Sequence, residues 1–284
     1  MHVPKTAGST LKWIIERQYS PSHTAVIESE DLLEQYRAFQ AMPPEARGRL
    51  ECVIGHVPYG VHQWLPQGAR YITMLRNPVA WTLSFHNYMR SMPFFDTHPD
   101  LKVFHGVRAL DLNGFVSFLE DSNMADMQTR MISGEVDVTT TLPPYMRLSE
   151  DALERAKHRL RDEFACAGLV ERFDESLLLM KRRLGWRHVY YRKLNVSRDR
   201  SEPRNLPRHT LQRILACHRR DVELHDYAGA LLAAQIEAEG PGFERELRRL
   251  RRLNVMYDRL VPLYEASGLL RLRRALRQAF ATTD

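Results

Sequence analysis

Short apolar runs rich in β-formers, alternating with segments of helical periodicity, predict an α/β domain. Its expected form is a central parallel sheet flanked by helices in three layers. With 284 residues, 44% of them hydrophobic and 27% charged, the chain is long enough to bury a substantial core. The composition then shifts: residues 241–284 carry ten arginines against five acidic residues, +5 of the chain's net +6. The predicted organisation is therefore an α/β domain over 1–240 and an Arg-rich amphipathic helical extension over 241–284, packed on the same domain.

The elements follow in order. Leu11, Ile14, Ile15 and Gln18 fall at helical spacing, with Ser9 or Thr10 placed to cap the start and Pro21 to end the helix. Residues 31–40 read as a helix broken by Pro43-Pro44. Cys52-Val53-Ile54 and Tyr71–Leu75 are too short for helices and read as buried strands. Asn77-Pro78 follows at once, placing Pro at the start of a helix from Val79 to about Met89. Residues 93–113, with Pro93, Pro99, Gly106 and Asn113, read as a long irregular loop. Helices are predicted over 114–133, 149–162 and 174–184. Two further strands are predicted, Phe164–Val170 and Val189–Leu194. From Thr210 the pattern is helical, with breaks at Gly240-Pro241-Gly242, around Pro262 and at Ser267-Gly268.

Composition excludes several classes. No run approaches the roughly 18 apolar residues of a membrane span. No signal pattern opens the chain. Cys52, Cys166 and Cys217 lie far apart, which argues against a disulfide framework and for a reducing, cytoplasmic setting. The histidines show no HExxH or other tight ligand spacing, so no metal is expected. Leu247, Leu250 and Leu253, then Leu269, Leu270, Leu272 and Leu276, give the arginine-rich stretches Arg245–Arg252 and Arg271–Arg277 apolar faces. Their arginines are then the solvated sides of amphipathic helices, and no specific nucleic-acid partner is expected.

Candidate chemistry begins at His2-Val3-Pro4-Lys5-Thr6-Ala7-Gly8-Ser9-Thr10, which runs directly into a helix. Gly8 lets the backbone approach a ligand, helix-start N–H groups favour a phosphate, and Lys5 adds a compact positive charge. Taken alone, the segment fits either a capped helix or an anion site; it is not GxxxxGK[ST], because Lys5 precedes the glycine. Arg76 ends the Tyr71–Leu75 strand where α/β ligands bind, and Ser84 lies two turns into the next helix. Such a pair can clamp a further phosphate or be an idle surface pair. His56 follows a strand end, where a histidine is either a turn residue or a base.

Here the segments resemble the sulfotransferases related to heparan sulfate 2-O-sulfotransferase. HVPKTAGST is similar to that family's 5′-phosphosulfate loop, LRNPVAWTLSFHNY to its 3′-phosphate segment, and Ile54-Gly55-His56-Val57 to its GH-V element. NMADMQTRMISG (123–134), GLVERFDES (168–176) and LNVS (194–197) follow in family order, so the resemblance spans about residues 2–200. It implies a P-loop-like fold and 3′-phosphoadenosine 5′-phosphosulfate (PAPS) as co-substrate, with no metal. Lys5, Thr6, Ala7, Gly8, Ser9 and Thr10 would hold the phosphosulfate, and Arg76 and Ser84 the ribose 3′-phosphate. Lys5 would offset charge on the bridging oxygen, and His56 would be the catalytic base, with His62 and His86 in reserve. The partner implied is a hydroxyl-bearing acceptor, a glycan by family analogy.

Two departures from the family pattern stand out: Asn77 replaces an acid and Trp81 replaces a second arginine. Glu171-Arg172 reads as an internal ion pair, and Asn195-Val196-Ser197 as a sequon or a nucleotide contact. Competing functions are a P-loop kinase, which wants another glycine before Lys5 and a magnesium-binding acid, and a polyanion binder built on the C-terminal arginines. Finally, Met1–Val3 supply three residues where a strand usually takes about five. The reading therefore expects omitted upstream coding sequence, in preference to another segment in that strand's place or a floppy loop that binds the cofactor weakly.

Overall fold

A computed structural model describes residues 1–28, 32–93, 102–136, 145–191 and 206–266. Helix α1 (Gly8–Ile15) follows the N-terminal loop, and strand β1 (Thr24–Ile27) follows Pro21. Helices α2 (Leu32–Ala41) and α3 (Pro44–Gly48) lead to β2 (Cys52–Gly55); β3 (Tyr71–Leu75) then runs into α4 (Pro78–Ser91). Helices α5 (Leu112–Asp121), α6 (Met127–Ile132) and α7 (Ala152–Asp162) precede β4 (Phe164–Leu169) and α8 (Phe173–Leu184). Helices α9 (Arg208–Cys217), α10 (Arg219–Ala238) and α11 (Gly242–Ala266) complete the described chain.

In place of the one central sheet expected, the described residues hold two separate parallel pairs. β1 pairs with β2, Thr24 opposite Cys52 through Ile27 opposite Gly55; β3 pairs with β4, Tyr71 opposite Phe164 through Leu75 opposite Leu169. Residues 1–3 lie between the pairs. The Met1 amino group donates to the Ile72 carbonyl at 3.2 Å, the His2 N–H donates to the Gly55 carbonyl at 2.8 Å, and Val3 is fully buried. The start of the loop before α1 is thus tied to β2 on one side and β3 on the other.

Several expectations change. Strand β1 was not anticipated. The single helix expected over 114–133 is two, because Asn123 and Asp126 take left-handed backbone, each at φ 52°. Val189–Tyr191 form no strand; the Tyr191 N–H bonds the Asn254 side chain at 3.0 Å, and 192–194 lie outside the described residues. Helix α11 continues through Pro262. Of the 93–113 loop, 94–101 lie outside the described residues and the rest holds two short 3₁₀ turns, Lys102–Phe104 and Val107–Ala109.

In the C-terminal segment the expected apolar face is buried in part, and Leu253 is exposed. Phe243, Leu247 and Leu250 are buried in the main core, while Arg245, Arg248, Arg249, Arg251 and Arg252 are exposed. Glu246 pairs with Lys181 and Arg182 of α8. Arg271–Arg277, Ser267-Gly268 and the Asn195-Val196-Ser197 sequon lie outside the described residues. Among the described residues, no helix is long and apolar enough to cross a membrane.

Candidate active site

The loop before α1 is held by its carbonyls. The Val3 oxygen accepts from the Thr6 hydroxyl at 2.7 Å, Pro4 from the Trp81 indole N–H at 2.8 Å, and Lys5 from the Arg76 guanidinium at 3.0 Å. Lys5 and Ala7 sit at φ 66° and 62°, on either side of Thr6. Left-handed residues alternating with ordinary ones turn successive N–H groups toward one side, the arrangement that makes an anion-binding nest. Three successive carbonyls are thus tied back beside Lys5.

Gly8 starts α1, and Ala7 caps it in a left-handed conformation without a side-chain bond. Ser9 and Thr10 are therefore first-turn residues and not the caps expected of them. Thr6 is 1% exposed, with its hydroxyl committed to Val3. Gly8 makes room for a neighbouring ring: a Cβ there would meet His2 at 1.7 Å, and that ring would have to move.

Arg76, just past β3, and helix α4 close a second side. Asn77 accepts from the N–H groups of Val79 and Ala80 at 3.1 and 3.3 Å, so the residue replacing the family acid is an N-cap. On α4, Trp81 bonds Pro4 and the Tyr88 ring lies 4.1 Å from Lys5 Nζ. Ser84 stands between them at helical spacing, on the face turned to the loop. Burial, then the nearby Arg76 charge, lowers the Lys5 ammonium to about 8.

The third side is the end of β2. A Cβ on Gly55 would meet the Ile27 carbonyl oxygen at 1.9 Å, so the GH turn admits glycine alone. The His56 ring stacks on His2, centroids 4.3 Å apart, and its Nδ1 lies 3.0 Å from the His2 carbonyl oxygen. An Nδ1–H donated there leaves the Nε2 lone pair outward, the tautomer a base needs. Burial and then His2 lower His56 to about 4. Glu28 lies 3.4 Å from His2 and 2.6 Å from Lys12. Burial opposes its charge, but hydrogen bonds from His2 and Lys12 hold it down to about 2.

The reserve histidines are elsewhere engaged. His62 Nδ1 contacts the Tyr71 hydroxyl at 2.8 Å, and His86 Nε2 contacts the Leu110 carbonyl at 2.9 Å. Glu171 does not pair with Arg172 as expected. It accepts from the Asn77 N–H at 2.9 Å and lies 3.3 Å from His225, while Arg172 pairs with Glu175.

Sequence reasoning missed Trp81 as a loop anchor, and it missed Gln128. The Gln128 side chain accepts from the Arg76 N–H at 2.9 Å and donates to the Arg76 carbonyl at 2.9 Å. It lies inside the NMADMQTRMISG segment, to which the resemblance assigns no role. Asp126, His218 and Asp221 gather their ligand-type atoms within 4.8 Å. Those atoms already serve backbone amides: Asp221 accepts from Gln128 and Thr129, Asp126 from Asp221, and His218 from Asp126. Burial and the Asp126 charge push Asp221 up to about 7 against those bonds.

With this geometry in view, comparison with known proteins places the chain among the sulfotransferases. It belongs to the galactose-3-O-sulfotransferase family, which it matches over residues 2–271. It is similar to galactose-3-O-sulfotransferase 3 of Bos taurus, 27% identical over 196 residues, 66% of this chain and 43% of the relative. The chain thus spans less than half the length of that relative. The resemblance to the heparan sulfate 2-O branch holds at the level of a sulfotransferase family, not for that branch. The cytoplasmic placement is overturned, because galactose-3-O-sulfotransferases are Golgi-lumenal type II membrane enzymes.

Proposed function

We propose that the chain transfers a sulfuryl group from PAPS to a carbohydrate hydroxyl, with the 3-hydroxyl of a galactose unit as the acceptor that the family's name suggests. The P-loop-like reading of the fold belongs to the same proposal. The observation that carries it is the loop of residues 3–8, whose three successive carbonyls are tied back beside Lys5. A nest of this kind with a lysine fits the 5′-phosphosulfate, and Arg76 with Ser84 takes the ribose 3′-phosphate.

In the reaction, the acceptor oxygen attacks sulfur in line. The bond between sulfur and the phosphate oxygen breaks, and the acceptor proton passes to His56 Nε2. Adenosine 3′,5′-bisphosphate leaves with its new charge facing Lys5 and the amides at the start of α1. Preorganised donors of that sort are worth about 3–4 kcal/mol each. His56 is neutral at working pH and so holds an open lone pair, although its lowered basicity makes it a modest base until a nearby anion raises it. The test is incubation with radiolabelled PAPS and a panel of galactose-terminated and galactose-free oligosaccharides. Label on the galactose-terminated members supports the reading; no transfer to any saccharide refutes it.

A further inference from the structure

Resting on the donor site just described, we propose that Gln128 is a positioning residue for recognition of the donor's 3′-phosphate, presetting Arg76 through its backbone. Strand β3 ends at Leu75, and Arg76 is the next residue. Gln128 then acts as one residue of neighbouring strand, because its amide offers an acceptor and a donor just as a peptide group does. Both bonds to Arg76 are 2.9 Å long, and Gln128 is 1% exposed, so water does not compete for them. With its peptide groups fixed, Arg76 sends its guanidinium to the Lys5 carbonyl at 3.0 Å.

Gln128 is itself braced from a second helix. The Asp221 carboxylate, in the first turn of α10, accepts from the Gln128 N–H at 3.1 Å and the Thr129 N–H at 2.7 Å, capping α6. Asp126, before α6, returns the favour by accepting from the Asp221 N–H at 2.9 Å. His218 Nδ1 accepts the Asp126 N–H at 3.2 Å. Two helix starts thus cap each other, and the product of that pairing is a fixed Gln128. Holding an arginine in its binding geometry before the ligand arrives saves ordering cost at binding, so the brace acts on affinity for whatever the arginine holds.

The experiment titrates wild type, Arg76→Ala, Gln128→Leu and the double variant with adenosine 3′,5′-bisphosphate and with adenosine 5′-phosphate, which lacks the 3′ group. Wild type should prefer the bisphosphate. Gln128→Leu should lose about tenfold of that preference, the size two neutral hydrogen bonds suggest. Binding of adenosine 5′-phosphate should change little, and the double variant should be no worse than Arg76→Ala. Asp221→Asn serves if Gln128→Leu does not fold, and should erode the same preference. If wild type shows no preference, or Arg76→Ala keeps it, the donor-site reading falls and this inference with it. If Arg76→Ala loses the preference while Gln128→Leu or Asp221→Asn keeps it, only the inference falls. Equal weakening of both ligands, or additive losses in the double variant, also overturns it.

Discussion

Trp81→Phe removes one of the three ties on the loop before α1 and nothing else polar. The Phe ring keeps a place against Phe85 and His218, whose rings lie 5.0 and 5.4 Å away, but it cannot donate to the Pro4 carbonyl. Left-handed backbone at Lys5 and Ala7 costs about 1–2 kcal/mol per residue. The ties from Thr6, Trp81 and Arg76 each return about 1 kcal/mol. These sums nearly balance, so the loss of one tie shifts the loop toward relaxed shapes by about 1 kcal/mol. Apparent Kd for adenosine 3′,5′-bisphosphate should then rise about threefold. The smaller ring also leaves a void, so the melting temperature should fall. Isothermal titration beside circular dichroism reads both. A lowered melting temperature with unchanged Kd would refute the argument, since the loop would hold its shape without the tie.

Gly8→Ala should fold poorly or lose ligand binding, because its methyl group enters the His2 ring; Gly8→Ala with His2→Ala should regain stability in thermal melts. The pH profile of kcat/KM should be flat between about 4, where His56 becomes neutral, and about 8, where Lys5 loses its charge and the rate falls. Lys5→Arg should move the basic limb upward, as guanidinium stays charged. His56→Asn keeps a donor for the His2 carbonyl, so it should lower turnover by about a hundredfold or more while bisphosphate affinity stays near wild type.

Much of this site was legible because its parts are local. The run Tyr71–Leu75 followed by Asn77-Pro78 announces strand and helix start together, whereas a loop with one lysine and one glycine entering a helix fits a capped helix as well as an anion site, and the family resemblance tips the reading. What stayed hidden is long-range. Trp81 reaches across 77 residues to Pro4 and Gln128 across 52 to Arg76, and no periodicity encodes such a pairing. β1 escaped because four residues between a proline turn and a helix give little pattern, and its partner β2 supplies the ladder. The continuous sheet was a reasonable expectation from alternation alone. Whether two strand pairs join depends on what lies between them, and here residues 1–3 do.

The two departures from the heparan sulfate 2-O pattern make sense once the charges are counted around Lys5. That ammonium is already lowered to about 8 by burial and by Arg76, whose guanidinium reaches the Lys5 carbonyl. A second arginine at position 81 would set another fixed positive charge beside the same loop and press Lys5 further toward neutrality. Trp81 gives the Pro4 carbonyl its donor with no charge at all, and its ring also fills the space between Phe85 and His218. Asn77 follows the same logic. An acid there would cap α4 equally well, but the Asn77 N–H already bonds Glu171, and a second carboxylate beside that one would repel it. Neutral side chains at 77 and 81 therefore keep the cap and the tie without adding charge beside Lys5 and Arg76, as the proposed anionic donor site requires.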